Sequence, residues 1–173
     1  MRRLVSGDLS LEPQIAAHAD EMFAILSDPA IYEFENEPPA SVEWLRARFV
    51  KLETRRSGDG TEQWLNWVIR DSRFRLAGYV QATVRADGDA YIAYVLGSAF
   101  WSRGIARRAV EAVIDELAAG YGVRTLWAIF KSANLRSRRL LERIAFSDAP
   151  GEWLARHSVE PGESLMYRRI DRP

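Results

Sequence analysis

Residues 91 to 110, YIAYVLGSAFWSRGIARRAV, constrain this chain most. Tyr91 to Leu96 is apolar and rich in β-branched and aromatic residues, as a buried strand requires. Gly97 and Ser98 interrupt it, and Trp101-Ser102-Arg103-Gly104-Ile105-Ala106 leads into a helix. Gly104 carries no side chain, so a ligand can approach the backbone there, and Ala106 is nearly as small. The first N–H groups of a helix lack intrahelical acceptors and sit at the positive end of its dipole. Strand, glycine turn and helix read as an anion site, most naturally for a phosphate or pyrophosphate, or as an ordinary strand-to-helix turn whose glycine is structural. Arg103, Arg107 and Arg108 add positive charge around it.

The rest of the chain supplies a scaffold for that unit. Residues 9 to 15 form a strand interrupted by Pro13, and residues 16 to 28 a helix with Ala19, Met22, Phe23 and Leu26 on one face. Pro29 ends it. His18 and His157 are far apart, with no metal-ligand spacing, and His18 reads as a surface residue. Residues 29 to 40 are a loop carrying Glu33, Glu35 and Glu37, read as a solvated acidic loop or as the wall of a site for a cationic amine. Ser41 caps a helix over residues 42 to 54. Strands at 63 to 70, 76 to 85 and 91 to 96, joined by a turn at 71 to 75 and a hairpin at 86 to 89, make an antiparallel meander. A helix from about 104 to 119 stops at Gly120 and Gly122. The strand at 123 to 130 follows a crossover and so lies parallel to the strand before it. A helix over 134 to 144 has a basic face of Arg136, Arg138, Arg139 and Arg143. Residues 147 to 162 read as irregular and residues 164 to 170 as a last strand. Trp64, Asn66, Trp67, Tyr79 and Gln81 lie on the central strands, as core or as an acceptor pocket.

This order is a single mixed α/β sandwich over residues 1 to 173, with a mostly antiparallel sheet. Lys plus Arg and Asp plus Glu both number 24, which argues against a general nucleic-acid or anionic-membrane binder. There is no cysteine, which excludes disulfides, Cys-based metal sites and a Cys nucleophile. No signal peptide or membrane-length apolar run is present, so a cytoplasmic protein, monomer or homodimer, is expected. A G-x-x-x-x-G-K-[ST] or an early G-x-G-x-x-G is absent, as is a carboxylate cluster suited to magnesium.

FWSRGIARRAVEAV resembles the acyl-CoA pyrophosphate loop of the GNAT N-acetyltransferases, Q/R-x-x-G-x-G/A, and is nearest the RimJ/RimL branch, where it often reads W-G-x-G-x-A. Trp101 stands at the Q/R position, Gly104 at the first glycine and Ala106 at the G/A position. Downstream, Asn134-Leu135-Arg136-Ser137, Leu140-Leu141-Glu142-Arg143 and Phe146 resemble the family's N-x-x-S…L-E-K-x-G-F helix.

The resemblance implies an N-acetyltransferase that moves acetyl from acetyl-CoA to a primary amine, on a small molecule or a peptide N-terminus, in a ternary complex. The alternative is a non-catalytic acyl-CoA-binding domain of the same fold. It implies that the strands flanking the loop and its helix splay apart around the donor. The donor is then held by Trp101, Ser102, Arg103, Gly104, Ile105, Ala106 and Arg107 and by the backbone of Val95, Leu96 and Gly97. An N–H near Leu96 stabilises the thioester oxygen. Asn134 holds the pantetheine arm or the start of its helix, and Arg139 meets a CoA phosphate or forms part of a solvated face. The family's tyrosine, seven residues after the Asn, is Leu141 here. Ser137 is therefore read as the hydrogen-bond donor to the sulfur, or else as a helix-surface or capping residue. The strand carries Tyr91, Ile92 and Ala93 in place of the family's acid, so Glu33, Glu35 or Glu37 could serve as the base through water, and Glu35 is the one named. Ala145 replaces the glycine before Phe146, so the turn there is expected to use φ > 0 less freely.

Overall fold

The structure, a computed structural model, describes residues 1–34 and 37–170. A hairpin opens the chain: β1 (Leu4–Ser6) pairs antiparallel with β2 (Leu9–Pro13). Only β2 is legible in the sequence, because three residues with Leu4 alone buried carry no period.

The helix expected over 16 to 28 divides into a 3₁₀ turn at Ala16–His18 and α1 (Ala19–Leu26). His18 is buried, not a surface residue: its Nδ1 accepts the Ile15 N–H at 3.2 Å, and Nε2 lies 3.5 Å from the Glu12 carboxylate. Before α2 (Val42–Leu52), the Ser41 hydroxyl accepts the Trp44 N–H at 3.1 Å, as a capping serine should.

The meander follows as β3 (Glu62–Arg70), β4 (Leu76–Arg85) and β5 (Asp89–Leu96), all antiparallel. At Gly78 the ladder between β3 and β4 shifts register. A Cβ on Gly78 would lie 2.0 Å from the Val95 carbonyl oxygen, and φ is +152°. Only glycine lets β4 approach β5 this closely at that point.

Then come α3 (Ile105–Tyr121), β6 (Thr125–Lys131), α4 (Leu135–Arg143), β7 (Ser147–Asp148), α5 (Gly151–Leu154) and β8 (Glu163–Arg169). The helix α3 passes through Gly120 and ends at Gly122, whose φ of +65° caps it. Residues 147 to 162 are more ordered than their composition suggests. Trp153 and His157 pack on Trp127, at ring-centre distances of 5.5 and 3.9 Å, and this anchors α5 to the sheet.

The eight strands form one sheet in the order β1-β2-β3-β4-β5-β6-β8-β7. Its only parallel pair among the described residues is β5 with β6, as a crossover through α3 requires. One face packs Leu65, Trp67, Ile69 and Ile92 against α3 and α4. The other packs Val68 and Leu76 against α1 and α2. Strand alternation thus separates Trp67 from Trp64, Asn66, Tyr79 and Gln81. Trp67 is fully buried and its Nε1 donates to the Arg2 carbonyl at 3.1 Å, so it is core and not pocket.

The parallel register covers Asp89 with Thr125, Ala90 with Leu126 and Tyr91 with Trp127, and then stops. β5 continues to Leu96 and β6 to Lys131 without pairing to each other. The two strands have parted, and the gap between them positions the site.

Candidate active site

Beyond Tyr91 and Trp127 the gap opens into a cavity of about 610 Å³. Its walls are the end of β5, the loop into α3, one side of α4 from Asn134 to Arg143, and the loop around residues 30 to 34. Of the site residues expected from sequence, Val95, Leu96, Trp101, Ser102, Arg103, Gly104, Ile105, Ala106, Arg107, Asn134, Ser137 and Arg139 all line it. Gly97 lies just behind the wall, its N–H donating to the Ala77 carbonyl at 3.0 Å. Glu35 falls outside the described residues.

That Gly97 bond fixes the parity of the strand. Antiparallel ladders alternate, so the amides of Gly97 and Val95 point at β4, and those of Tyr94 and Leu96 point the other way. The other way is the gap that β6 has left. Leu96 thus offers an N–H to the cavity, while Val95 contributes its side chain. The Leu96 carbonyl accepts the Trp101 indole N–H at 2.9 Å.

The loop is built for close approach. Ser102 has φ +58° and Gly104 φ +71°, and a Cβ at Gly104 would meet nothing within 4 Å. The space in front of Gly104 is open. No side chain caps α3, so its first N–H groups face the cavity mouth without a protein acceptor of that kind.

Positive charge surrounds the mouth, but unequally. Arg108 is turned away onto Asp8. Arg107 pairs with Glu111 at 3.1 Å. On α4, Arg138 pairs with Asp148 at 3.0 Å, and Arg136 pairs with Glu33 at 3.2 Å. Among the described residues, Arg103, Arg139 and Arg143 have no carboxylate partner. Three arginines of α4 line the cavity: Arg136, held by Glu33, and Arg139 and Arg143, which have no carboxylate partner among the described residues.

Asn134 caps α4, its Oδ1 accepting the Ser137 N–H at 3.0 Å. Ser137 turns its hydroxyl towards β5, where the Tyr94 phenol oxygen lies 2.9 Å away. Burial pushes the Tyr94 phenol up to about 12, against a smaller opposing effect of that bond. Sequence reasoning missed Tyr94. The only signal for it was parity, since it shares the Leu96 side of β5.

The sequence profile of the GNAT acetyltransferase domain matches residues 8–147, most of the chain. The chain belongs to the GNAT acetyltransferase family. Acetyl-CoA is the family's acyl donor, and the cavity suits it: an open glycine loop, a helix start without a side-chain cap, arginines with no carboxylate partner among the described residues and a strand amide turned to the gap. No protein of curated function matches the sequence. Among solved structures, RimL, the ribosomal L7/L12 alpha-N-protein acetyltransferase in complex with coenzyme A, is 17% identical with a TM-score of 0.81, 98% of each chain being covered. The ribosomal-protein-S5-alanine acetyltransferase from Vibrio fischeri is 15% identical with a TM-score of 0.78, over 99% of each chain. The microcin C7 self-immunity acetyltransferase MccE, in complex with acetyl-CoA and AMP, is 18% identical with a TM-score of 0.75, over 95% of this chain and 93% of that one.

Three departures from the GNAT pattern have visible causes. Leu141, at the usual tyrosine position, is 1% exposed and part of the core, so no hydroxyl belongs there. Trp101 replaces a flexible polar side chain with a ring pinned to Leu96 and covered by the Arg136 guanidinium at 3.7 Å. Ala145 does adopt φ +62°, contrary to the expectation that alanine restricts this turn. The Phe146 N–H closes onto the Leu141 carbonyl at 3.0 Å, and this bond with the buried Phe146 holds the strained residue in place.

Proposed function

We propose that this enzyme transfers acetyl from acetyl-CoA directly to a primary amine, on a peptide N-terminus or a small molecule, with both substrates bound together. One observation carries the reading. Where β5 and β6 part beyond the Tyr91–Trp127 pair, the Leu96 N–H and the Ser137 side chain border one cavity that runs to the uncapped start of α3. The RimL and ribosomal-protein-S5 enzymes of similar fold, which act on proteins, favour a peptide N-terminus within this class.

Acetyl-CoA supplies the activated thioester; the chain does the rest. The amides that open α3 and the side chains of Arg103, Arg139 and Arg143 hold phosphates. The Leu96 N–H, fixed by the ladder to β4, faces the charge that develops on the carbonyl oxygen. The Ser137 hydroxyl donates to the sulfur as the C–S bond breaks. Bringing amine and thioester together supplies much of the rate. Glu33, the one carboxylate among the described cavity residues, is held by Arg136. Glu35, two positions on, remains the candidate base, acting through water.

Release of free thiol in the presence of an amine panel, including peptides, tests this directly. Turnover that falls about 10- to 100-fold in Ser137→Ala, the loss expected of one hydrogen bond to a charged group, supports it. No thiol release with any amine would overturn it in favour of a domain that binds acyl-CoA without chemistry.

A further inference from the structure

A serine hydroxyl has one proton and rotates freely to place it. Ser137 sits in the first turn of α4, where its proton has competing acceptors: backbone carbonyls of the preceding turn and the Tyr94 oxygen. To donate into the cavity it must be denied them. Tyr94 is placed to do so. It lies on β5 two residues before Leu96, with its ring packed against the core under α4. Its oxygen is 2.9 Å from Ser137 Oγ and 3.4 Å from the Ser137 carbonyl oxygen. Both contacts reach the same residue, and the shorter is to the hydroxyl.

We propose that Tyr94 is a positioning residue for acetyl transfer: its phenol donates to Ser137 Oγ and so commits the serine proton to the leaving sulfur. This rests on the reading of Ser137 given above. The chemistry balances without moving the phenol's proton. The amine nitrogen forms the C–N bond and sheds a proton to solvent. The C–S bond breaks, its electron pair goes to sulfur, and the released thiolate takes a proton from solvent. Tyr94 keeps its own proton throughout. A phenol titrating at about 12 is a far weaker acid than a thiol titrating near 8.5, so relaying that proton to sulfur is uphill. The role is therefore orientation: a rigid strand donor sets the direction of a mobile helix donor.

Four proteins test this: wild type, Tyr94→Phe, Ser137→Ala and the double variant. Tyr94→Phe should lower kcat about 10-fold per folded enzyme, as loss of one well-placed hydrogen bond would. The Kd for acetyl-CoA, by calorimetry, should stay within about twofold, because Tyr94 holds no phosphate. In the Ser137→Ala background, Tyr94→Phe should have no further effect on kcat. The unliganded proteins should show the same non-additivity in urea midpoint, which reads the hydrogen bond without any substrate. Wild-type kcat in Tyr94→Phe, or kcat losses that multiply in the double variant, would overturn the proposal. The two readings fail separately. If Ser137→Ala keeps wild-type kcat, the role of Ser137 falls and this one with it. If Ser137→Ala is slow and Tyr94→Phe is not, only the role of Tyr94 falls.

Discussion

The indole N–H of Trp101 donates to the carbonyl of Leu96 at 2.9 Å. This closes the loop back onto the strand it leaves and ties up the carbonyl next to the amide that faces the cavity. Trp101→Phe keeps the ring but orphans a carbonyl on a residue only 6% exposed. An unsatisfied buried acceptor costs about 1–3 kcal/mol. Urea unfolding should show a loss in that range, and kcat should fall more than KM rises, because the oriented Leu96 amide acts in the transition state.

Arg139 and Arg143 line the cavity without a carboxylate partner among the described residues, whereas Arg138 is neutralised by Asp148 and Glu142. Arg139→Ala and Arg143→Ala should each weaken acetyl-CoA binding by about 3- to 10-fold at low salt, with a shallower salt dependence. Arg138→Ala should leave the Kd within about twofold. Calorimetry across a salt series checks all three.

Ala145 follows α4 in a left-handed conformation that costs an L-residue with a Cβ about 1–2 kcal/mol. Ala145→Gly relieves that strain and adds some chain entropy to the unfolded state. A net stabilisation of about 0.5–1 kcal/mol is expected, read as a rise in the thermal midpoint with activity unchanged.

The Tyr94 phenol is raised from 10.0 to about 12 by burial. The unfolded chain ionises this group first, so above pH 10 it holds fewer protons than the native state. Stability from this group is therefore complete below pH 10 and is lost as pH rises towards 12. The slope approaches about 1.4 kcal/mol per pH unit for this group. Thermal midpoints between pH 9 and 12 should fall less steeply in Tyr94→Phe than in wild type.

The sequence made the central unit readable because two periods and one turn residue coincide there. β5 has the apolar strand pattern, α3 the helical one, and Gly104 sits between them where a positive φ is needed. The crossover then dictated the parallel pairing of β5 with β6. What escaped notice was set by tertiary contact. β1 is too short to show alternation, and α5 stands because Trp153 and His157 find Trp127. His18 looked exposed because Glu12 and Ile15 reach it only after folding. Tyr94 and Ser137 are 43 residues apart in the chain, and no local pattern joins them. The same holds for Arg136, which the sequence shows only as part of a basic helix face and the fold places over Trp101.

The central claim is that acetyl-CoA lies with its phosphates at Gly104 and its thioester in the gap beyond Tyr91. Calorimetric titration of wild type and Gly104→Glu with acetyl-CoA tests this most directly. The space in front of Gly104 is open, so the glutamate places bulk and negative charge there without touching the core. Gly104→Ala, which adds the same backbone strain without the charge, serves as the control for folding. The account predicts micromolar binding to wild type, measurable binding to Gly104→Ala, and none to a Gly104→Glu protein that still unfolds cooperatively. Equal affinity in wild type and Gly104→Glu, or no binding to wild type, would contradict it.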